Sequence, residues 1–379
     1  MHAESPYDVV IAGLGAMGSA AAFHLARRGV RVLGLDRHTP PHALGSSHGE
    51  SRIIREAYFE HPVYVPLVQR AFELWRELER MSGTALLLQT GGLMIGAPES
   101  ELVAGARRSA EMHGLAHELL SAYDVRARFP ALNPERGMLA VWEPRAGTLF
   151  PEACISAALA QARQRGATVR FDEPVLNWIA DGDDIRVSTP RGDYRARHLI
   201  VTAGAWVGSL LPTLILPFRI ERQVLHWFGT ARGAEFFTAA RCPIHLWQFD
   251  GDRFFYGFPD LGRGVKVAFH HGGDATTVED VRREVAPEEV ETIRAALRRF
   301  VPDADGPLRA SVVCVYTNAP DEHFWIDRHP HCDQVLIASP CSGHGFKFCS
   351  VVGEMAADLA EKGRSHLRPD IFAMRDRGA

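Results

Sequence analysis

Apolar runs broken by glycine open the chain. Asp8-Val9-Val10-Ile11-Ala12 reads as a buried strand, Gly13-Leu14-Gly15-Ala16-Met17-Gly18 as a turn entering an alanine-rich helix, and Val30-Arg31-Val32-Leu33-Gly34-Leu35-Asp36 as a second strand ending in an acid. A loop rich in His, Ser and Gly, residues 38–50, leads into Ser51-Arg52-Ile53-Ile54-Arg55. From about Pro66, Leu67, Val68, Ala71, Phe72, Leu74, Trp75 and Leu78 recur at helical spacing, and proline suits a first helical turn. Residues 90–97 read as a strand, 99–113 as a helix, and the stretch to 150 as irregular because turn residues crowd it. A helix over 151–165 is stopped by Gly166, and a strand starts over 168–171.

Further along, Asp181-Gly182 and Arg191-Gly192 mark turns between short strands. Residues 199–206 form a buried strand running into a small-residue turn, a return to the opening sheet. Aromatic and β-branched residues dominate 224–269, the mark of an antiparallel sheet. A charged helix or helix pair spans about 278–300, and the final segment has a strand over 335–339 and a helix over about 346–359. Its apolar character matches the opening unit, so both ends of the chain are expected in one sheet. The fold class is therefore α/β, or α+β overall: a Rossmann-like cofactor domain over 1–85, 150–216 and 321–379, with an inserted antiparallel-sheet substrate domain over 86–149 and 217–320. No internal repeat or low-complexity tract occurs.

Bulk properties narrow the function classes. A chain of 379 residues exceeds one compact core, and 46% hydrophobic with 23% charged residues is an ordinary globular composition. A formal net charge of −4 with mixed signs gives no reason to invoke nucleic acid or an anionic membrane. Residues 1–7 hold no basic segment followed by an apolar run, and no run of about 18 apolar residues occurs. A cytoplasmic protein acting on small molecules is expected. The six cysteines lack paired or metal-type spacing, so no metal is expected and most read as small buried hydrophobes.

The opening β-α-β unit carries the first chemistry. Gly13 makes the tight turn, Gly15 lets backbone approach a pyrophosphate, and Gly18 lets helix pack on strand. Asp36 lies 18 residues beyond Gly18, near the roughly 20-residue spacing of a carboxylate that accepts from a ribose. An adenine dinucleotide follows, and the motif leaves FAD and NAD both open. No second glycine fingerprint occurs, which argues against a flavin enzyme fed by NADH.

Gly343-His344-Gly345-Phe346-Lys347-Phe348 sits at a strand-to-helix junction, where backbone N–H groups point at ligands. Lys347 there reads either as a surface lysine or as one projecting into a cleft. Arg52 and Arg55 read either as solvated ion-pair residues or as groups that hold a carboxylate in bidentate fashion.

Several motifs in order make the reading specific: Pro40-Pro41-His42, Gly49-Glu50-Ser51-Arg52-Ile53-Ile54-Arg55, Tyr256-Gly257-Phe258-Pro259, Val313-Cys314-Val315-Tyr316-Thr317, Pro320-Asp321-Glu322-His323-Phe324 and Gly343-His344-Gly345-Phe346-Lys347-Phe348. Through these the chain resembles, end to end, the monomeric sarcosine oxidase and N-methyltryptophan oxidase family of flavin amine oxidases, which also includes pipecolate oxidases. The resemblance implies FAD, bonded through Cys314 as an 8α-thioether, with Ser46, His48, Arg52, Gly343, Gly345 and Lys347 among the residues around it. It implies that Arg55 and Lys347 grip the substrate carboxylate, that Lys266 assists oxygen reduction and that Arg52 lies close to the same flavin face. His270 falls near the substrate amine, and Tyr256, Tyr316 and His344 in the pocket; His271 has no assigned part.

The implied reaction is oxidation of a secondary amino acid by hydride transfer to the flavin. Oxygen is then reduced to hydrogen peroxide, and an N-methyl substrate yields formaldehyde and the primary amino acid. The resemblance implies a monomer whose partners are an amino-acid substrate and O2. The family's Gly-Phe before Ser-Gly-His-Gly is Pro340-Cys341 here, a usual histidine is Ser47, and Trp247 stands where the sarcosine enzyme has a smaller pocket residue. These departures bear on substrate size, and sarcosine, N-methyltryptophan and pipecolate types stay open. A nicotinamide-dependent dehydrogenase and a catalytically silent flavoprotein are the readings from other classes.

Overall fold

The opening apolar run forms the strand Tyr7–Ala12 inside an eight-stranded sheet of the computed structural model, which describes residues 7–339 and 342–374. It pairs in parallel with Val32–Leu35 on one side and Gly192–Val201 on the other. The ten-residue strand Gly192–Val201 serves two further neighbours along its other edge. Its first half pairs with the hairpin strand Asp184–Thr189, and its last residues, Leu199 to Val201, pair in parallel with Val335 to Ile337. The first and last segments of the chain thus share one sheet, as their common apolar character predicts. Helices Ala16–Arg27, Pro151–Gln164 and Cys349–Lys362 bury their small and aliphatic residues over this region. Among the described residues no helix is long and apolar enough to cross a membrane.

The aromatic and β-branched middle of the chain builds a nine-stranded sheet. Arg219–Phe228 runs antiparallel to Leu308–Asn318, with Gln223 opposite Cys314. Arg253–Asp260 lies between Ile244–Phe249 and Val265–His270. The sheet is not purely antiparallel, because Ile244–Phe249 pairs in parallel with Gly92–Gly96, a strand that arrives by a long crossover. Helix Pro287–Phe300 covers one face with Ile293, Ala296, Leu297 and Phe300.

Three expectations about local structure need correcting. The helix expected from about 278 begins at Pro287: proline fits a first helical position but pushes the residue before it out of the α region, and Ala286 is extended. The stretch expected to be irregular before 150 contains strands Glu118–Ser121, Leu139–Glu143 and Gly147–Leu149 and helix Ala122–Arg128. The strands are too short to show a period and are held by pairing with distant partners. The long amphipathic helix starts two residues before Pro66, at Tyr64, with every expected apolar position buried. A three-stranded sheet joins Arg52–Ile54 to Gly147–Leu149 and Leu87–Gln89, linking segments assigned by sequence to different domains.

Candidate active site

The glycine turn opens onto a cavity of about 200 Å³ lined by Gly13, Gly15, Asp36, Ser46, Arg52, Gly343 and Gly345 among others. Gly13 has φ +97°, and a side chain there would strike the Thr202 carbonyl at 2.7 Å. A Cβ on Gly18 would lie 1.8 Å from the Gly13 carbonyl oxygen, so only glycine lets the helix pack this closely. Gly15 differs, since the nearest atom to its missing Cβ is Ser47 Oγ at 3.8 Å and the space above it belongs to the cavity. The helix behind it has no side-chain cap, leaving its first N–H groups for a phosphate. The Asp36 carboxylate accepts from the Leu14 and His38 N–H groups at 2.6 and 2.8 Å, which ties the second strand's acid to the turn. Ser46 donates to the Val315 carbonyl at 2.6 Å. Together these residues fit an adenine dinucleotide.

A second cavity, of about 70 Å³, adjoins the first; Arg52, Tyr316, Gly343 and Phe346 line both. Its walls include Arg55, Glu60, Lys347, His344, His270, Tyr256 and Cys314, with Phe59, Phe258 and Leu246 as apolar surface. Arg55 is 2% exposed and stacks over Tyr58 and Phe59 at 4.4 and 4.7 Å. Its guanidinium meets both Glu60 oxygens, at 2.7 and 2.8 Å, and donates to the Ala57 carbonyl. A carboxylate is thus already seated on the arginine. Burial works to raise the Glu60 carboxyl, but Arg55, His344 and Lys347 bring it below its ordinary value.

Lys347 donates to the His344 carbonyl at 2.7 Å and lies 3.4 Å from the Tyr58 hydroxyl. Burial first, and Arg55 second, push its ammonium down to about 7, against the pull of Glu60. Burial also brings His344 down to about 3. Both of its ring nitrogens are engaged, one with Tyr58 and the other with the Glu322 carbonyl at 2.9 Å. His270 contacts the Tyr316 hydroxyl through Nδ1 at 3.2 Å, and burial together with His271 holds it well below its ordinary value. Burial raises the phenols of Tyr256 and Tyr316. The wall formed by His270, Tyr256 and Tyr316 is therefore neutral, while Arg55, Glu60 and Lys347 gather the charged groups of the cavity.

Cys314 is 1% exposed, with Arg52 Nη2 3.7 Å from its sulfur. Lys266 and His48 line neither cavity. Lys266 lies behind Arg52, its ammonium donating to the Gly49 carbonyl, the Ser51 carbonyl and Ser51 Oγ at 2.6, 2.9 and 3.0 Å. Burial and Arg52 lower its pKa well below the ordinary lysine value. His48 is buried, its Nε2 has no hydrogen-bond partner, and burial brings it down to about 3.

Trp247 does not line the small cavity. On a strand successive side chains face opposite ways, so Leu246 lines the small cavity while Trp247 turns away and stacks on Phe300 at 4.9 Å. Pro340 and Cys341 lie outside the described residues. Sequence reasoning passed over Tyr58, Phe59 and Glu60. The only local signal was their nearness to Arg55, and nothing in that spacing shows that Glu60 turns back onto the arginine.

Comparison with known proteins places this architecture. A model of the FAD dependent oxidoreductase (DAO) family matches residues 8–359, and the chain belongs to that family of flavoenzymes, with FAD as its cofactor. Monomeric sarcosine oxidase of Streptomyces avermitilis is 46% identical over 94% of each chain, and that of Bacillus sp. strain NS-129 is 38% identical over 97% of this chain and 96% of its own. N-methyl-L-tryptophan oxidase of Salmonella heidelberg is 35% identical over 93% and 94%. Within the larger family the chain is thus a member of the monomeric sarcosine oxidase and N-methyltryptophan oxidase group of amine oxidases. The fold is also that of NikD, an unusual amino acid oxidase essential for nikkomycin biosynthesis, with a TM-score of 0.85, 24% identity and 97% coverage of both chains.

Proposed function

We propose that this protein oxidises a small N-methyl amino acid, with sarcosine as the first candidate, releasing formaldehyde and the primary amino acid and reducing oxygen to hydrogen peroxide. The observation that carries this reading is a pair of buried cations, Arg55 and Lys347, in a cavity that shares four wall residues with the dinucleotide cleft. The modest volume between Phe59, Phe258 and Leu246 favours a substrate of few heavy atoms. By likeness to the monomeric sarcosine oxidases the protein works as a monomer. Its FAD domain comprises 1–85, 150–216 and 321–379, and its substrate domain 86–149 and 217–320.

Gly13, Gly15 and Asp36, in a turn that Gly18 lets close against the strand, would hold the ADP half of FAD, while Ser46, Arg52, Gly343 and Gly345 would line its other half, with His48 buried behind that lining and Lys347 in the adjoining cavity. Bound FAD supplies the two-electron acceptor for the substrate and the donor for oxygen. Arg55 and Lys347 take the substrate carboxylate, for which Arg55 exchanges its Glu60 partner, and this fixes the reacting carbon in place. Their charge, with that of Arg52, lowers the pKa of the bound amine and favours its neutral, reactive form. His270, held neutral, lies beside the amine without opposing that loss of a proton. Tyr256, Tyr316 and His344 complete the wall, and the apolar residues exclude water. The test is anaerobic mixing of the holoenzyme with sarcosine, N-methyltryptophan and pipecolate in turn. Bleaching of the flavin absorbance by sarcosine supports the reading, bleaching by one of the others moves the substrate class, and bleaching by none overturns it.

Cys314 is the residue we assign to the thioether link. Flavin should stay with the wild-type polypeptide after acid precipitation and appear in the supernatant from Cys314→Ser; free flavin from the wild type would refute the link.

Lys347 gives carboxylate binding a pH dependence. Its ammonium is charged below about 7 and loses the proton as pH rises through that value, so affinity for acetate should fall on the alkaline side, by about tenfold. Lys347→Met should flatten the profile. An acetate dissociation constant in the wild type that does not change between acid and alkaline buffer would remove Lys347 from the site.

A further inference from the structure

We propose that Glu143, a residue of the nine-stranded sheet outside both cavities, is a positioning residue that sets the affinity of the substrate-carboxylate site. This rests on the assignment of Arg55 to the carboxylate.

The argument starts from register. Strand Arg52–Ile54 pairs antiparallel with Gly147–Leu149, Ile54 standing opposite Gly147. The chain leaving Ile54 therefore runs back past the residues that precede Gly147, toward the end of strand Leu139–Glu143. There the Glu143 carboxylate accepts two consecutive backbone N–H groups, from Glu56 at 2.7 Å and from Ala57 at 2.8 Å. One oxygen serves each donor, and the side chain is 1% exposed. Arg55, Tyr58, Phe59 and Glu60 flank the two anchored residues on the same turn. Arg55 and Glu60 line the small cavity, Phe59 is one of its apolar walls, and the Tyr58 hydroxyl meets His344 and lies near Lys347. The anchored segment also returns a bond, since the Ala57 carbonyl accepts from Arg55 Nη1 at 2.8 Å. Glu143 thus fixes the backbone that aims the guanidinium and holds the Ala57 carbonyl at its Nη1.

A carboxylate is a demanding choice for this place. Burying an acid costs free energy that neutral hydrogen-bonding groups would not, and Glu56, a second buried acid, lies beside it. Burial pushes the Glu143 carboxyl up to about 7, the two N–H donors and Arg55 opposing. What the anion offers in return is two strong acceptors facing two parallel donors. Glutamine offers one acceptor and turns its own N–H2 toward the second donor. With one bond lost and one donor stranded, the turn no longer holds Arg55 in one position.

The test uses holoenzyme at about pH 8, on the alkaline side of the value of about 7 to which burial pushes the carboxyl. Glu143→Gln is expected to raise the KM for sarcosine and the dissociation constant of acetate by about tenfold, while kcat stays within about threefold. Hydrogen exchange of the Glu56 and Ala57 amides should quicken with the sheet strands still protected. Should Glu143→Gln fail to fold, Glu143→Asp, which keeps both acceptors on a shorter stem, is expected to raise the same two constants with the same sparing of kcat. Faster exchange with unchanged KM and acetate binding would leave Glu143 a purely structural anchor and overturn the proposal, as would a fall in kcat at constant KM. Arg55→Ala run alongside separates the two levels of the argument. If it too leaves acetate binding unchanged, the carboxylate site itself is misassigned and the proposal falls with it; if Arg55→Ala weakens acetate and Glu143→Gln does not, only the positioning role fails.

Discussion

Arg55→Ala is expected to raise the KM for sarcosine and the dissociation constant of acetate by about a hundredfold, the largest binding effect of any single change in the site. Two losses combine. The substrate carboxylate loses a buried guanidinium, worth more here than in water because the surroundings are apolar. Glu60 also loses both of its bonds to that guanidinium, and its carboxylate is left facing the position where a second carboxylate must bind. Lys347 compensates only in part, since removing Arg55 relieves one of the pressures that lower its pKa and lets it hold its proton more firmly. The double variant Arg55→Ala/Glu60→Gln should therefore bind acetate better than Arg55→Ala alone. This is a non-additivity expected of residues in contact. Titration of flavin absorbance with acetate reads both. An unchanged acetate affinity in Arg55→Ala would exclude the arginine from the carboxylate site.

Lys266→Met is expected to slow reoxidation of the reduced enzyme by oxygen at least about a hundredfold, with reduction by sarcosine within about threefold of wild type. The ammonium is buried, 2% exposed, and its three hydrogen-bond acceptors are neutral oxygens of Gly49 and Ser51. A cation without a carboxylate partner keeps its field for whatever negative charge develops nearby, and the reduction of oxygen develops such charge. The same three bonds suggest a competing role, because they brace the loop that carries Arg52. Methionine matches the length of lysine but removes charge and donors together. If bracing were the main task, Arg52 would shift and both half-reactions would slow alike. Stopped-flow measurement of each half-reaction decides between them, and equal slowing would sink the oxygen assignment.

The local code of the chain was legible wherever a signal lies within a few residues. Gly13, Gly15 and Gly18 needed only their spacing to announce a turn at a helix N-terminus. The buried face from Leu67 to Leu78 needed only its helical period, and Gly166, with φ +90°, marks the end of the helix Pro151–Gln164. The resemblance added names for residues scattered along the chain, and the structure gathers Arg55, Lys347, His270, His344, Tyr256, Tyr316 and Cys314 around one small cavity.

Tertiary structure decided the rest. Strands as short as Gly147–Leu149 carry no period and exist through pairing with distant partners. Which of Leu246 and Trp247 faces the cavity is a matter of strand register, which flips with one residue of slip. Lys266 and Arg52 could each have been placed at the cavity by sequence likeness; the fold puts the arginine in the wall and the lysine behind it. Glu60 on Arg55 and Glu143 on the turn that carries both are visible only once Ile54 is set opposite Gly147. Sequence by itself determined the cofactor-binding turn, the main helices and the inventory of charged groups, because those depend on neighbours along the chain. Only the folded chain decided which charges are paired, which are buried and which line the cavities, because pairing and desolvation depend on neighbours in space.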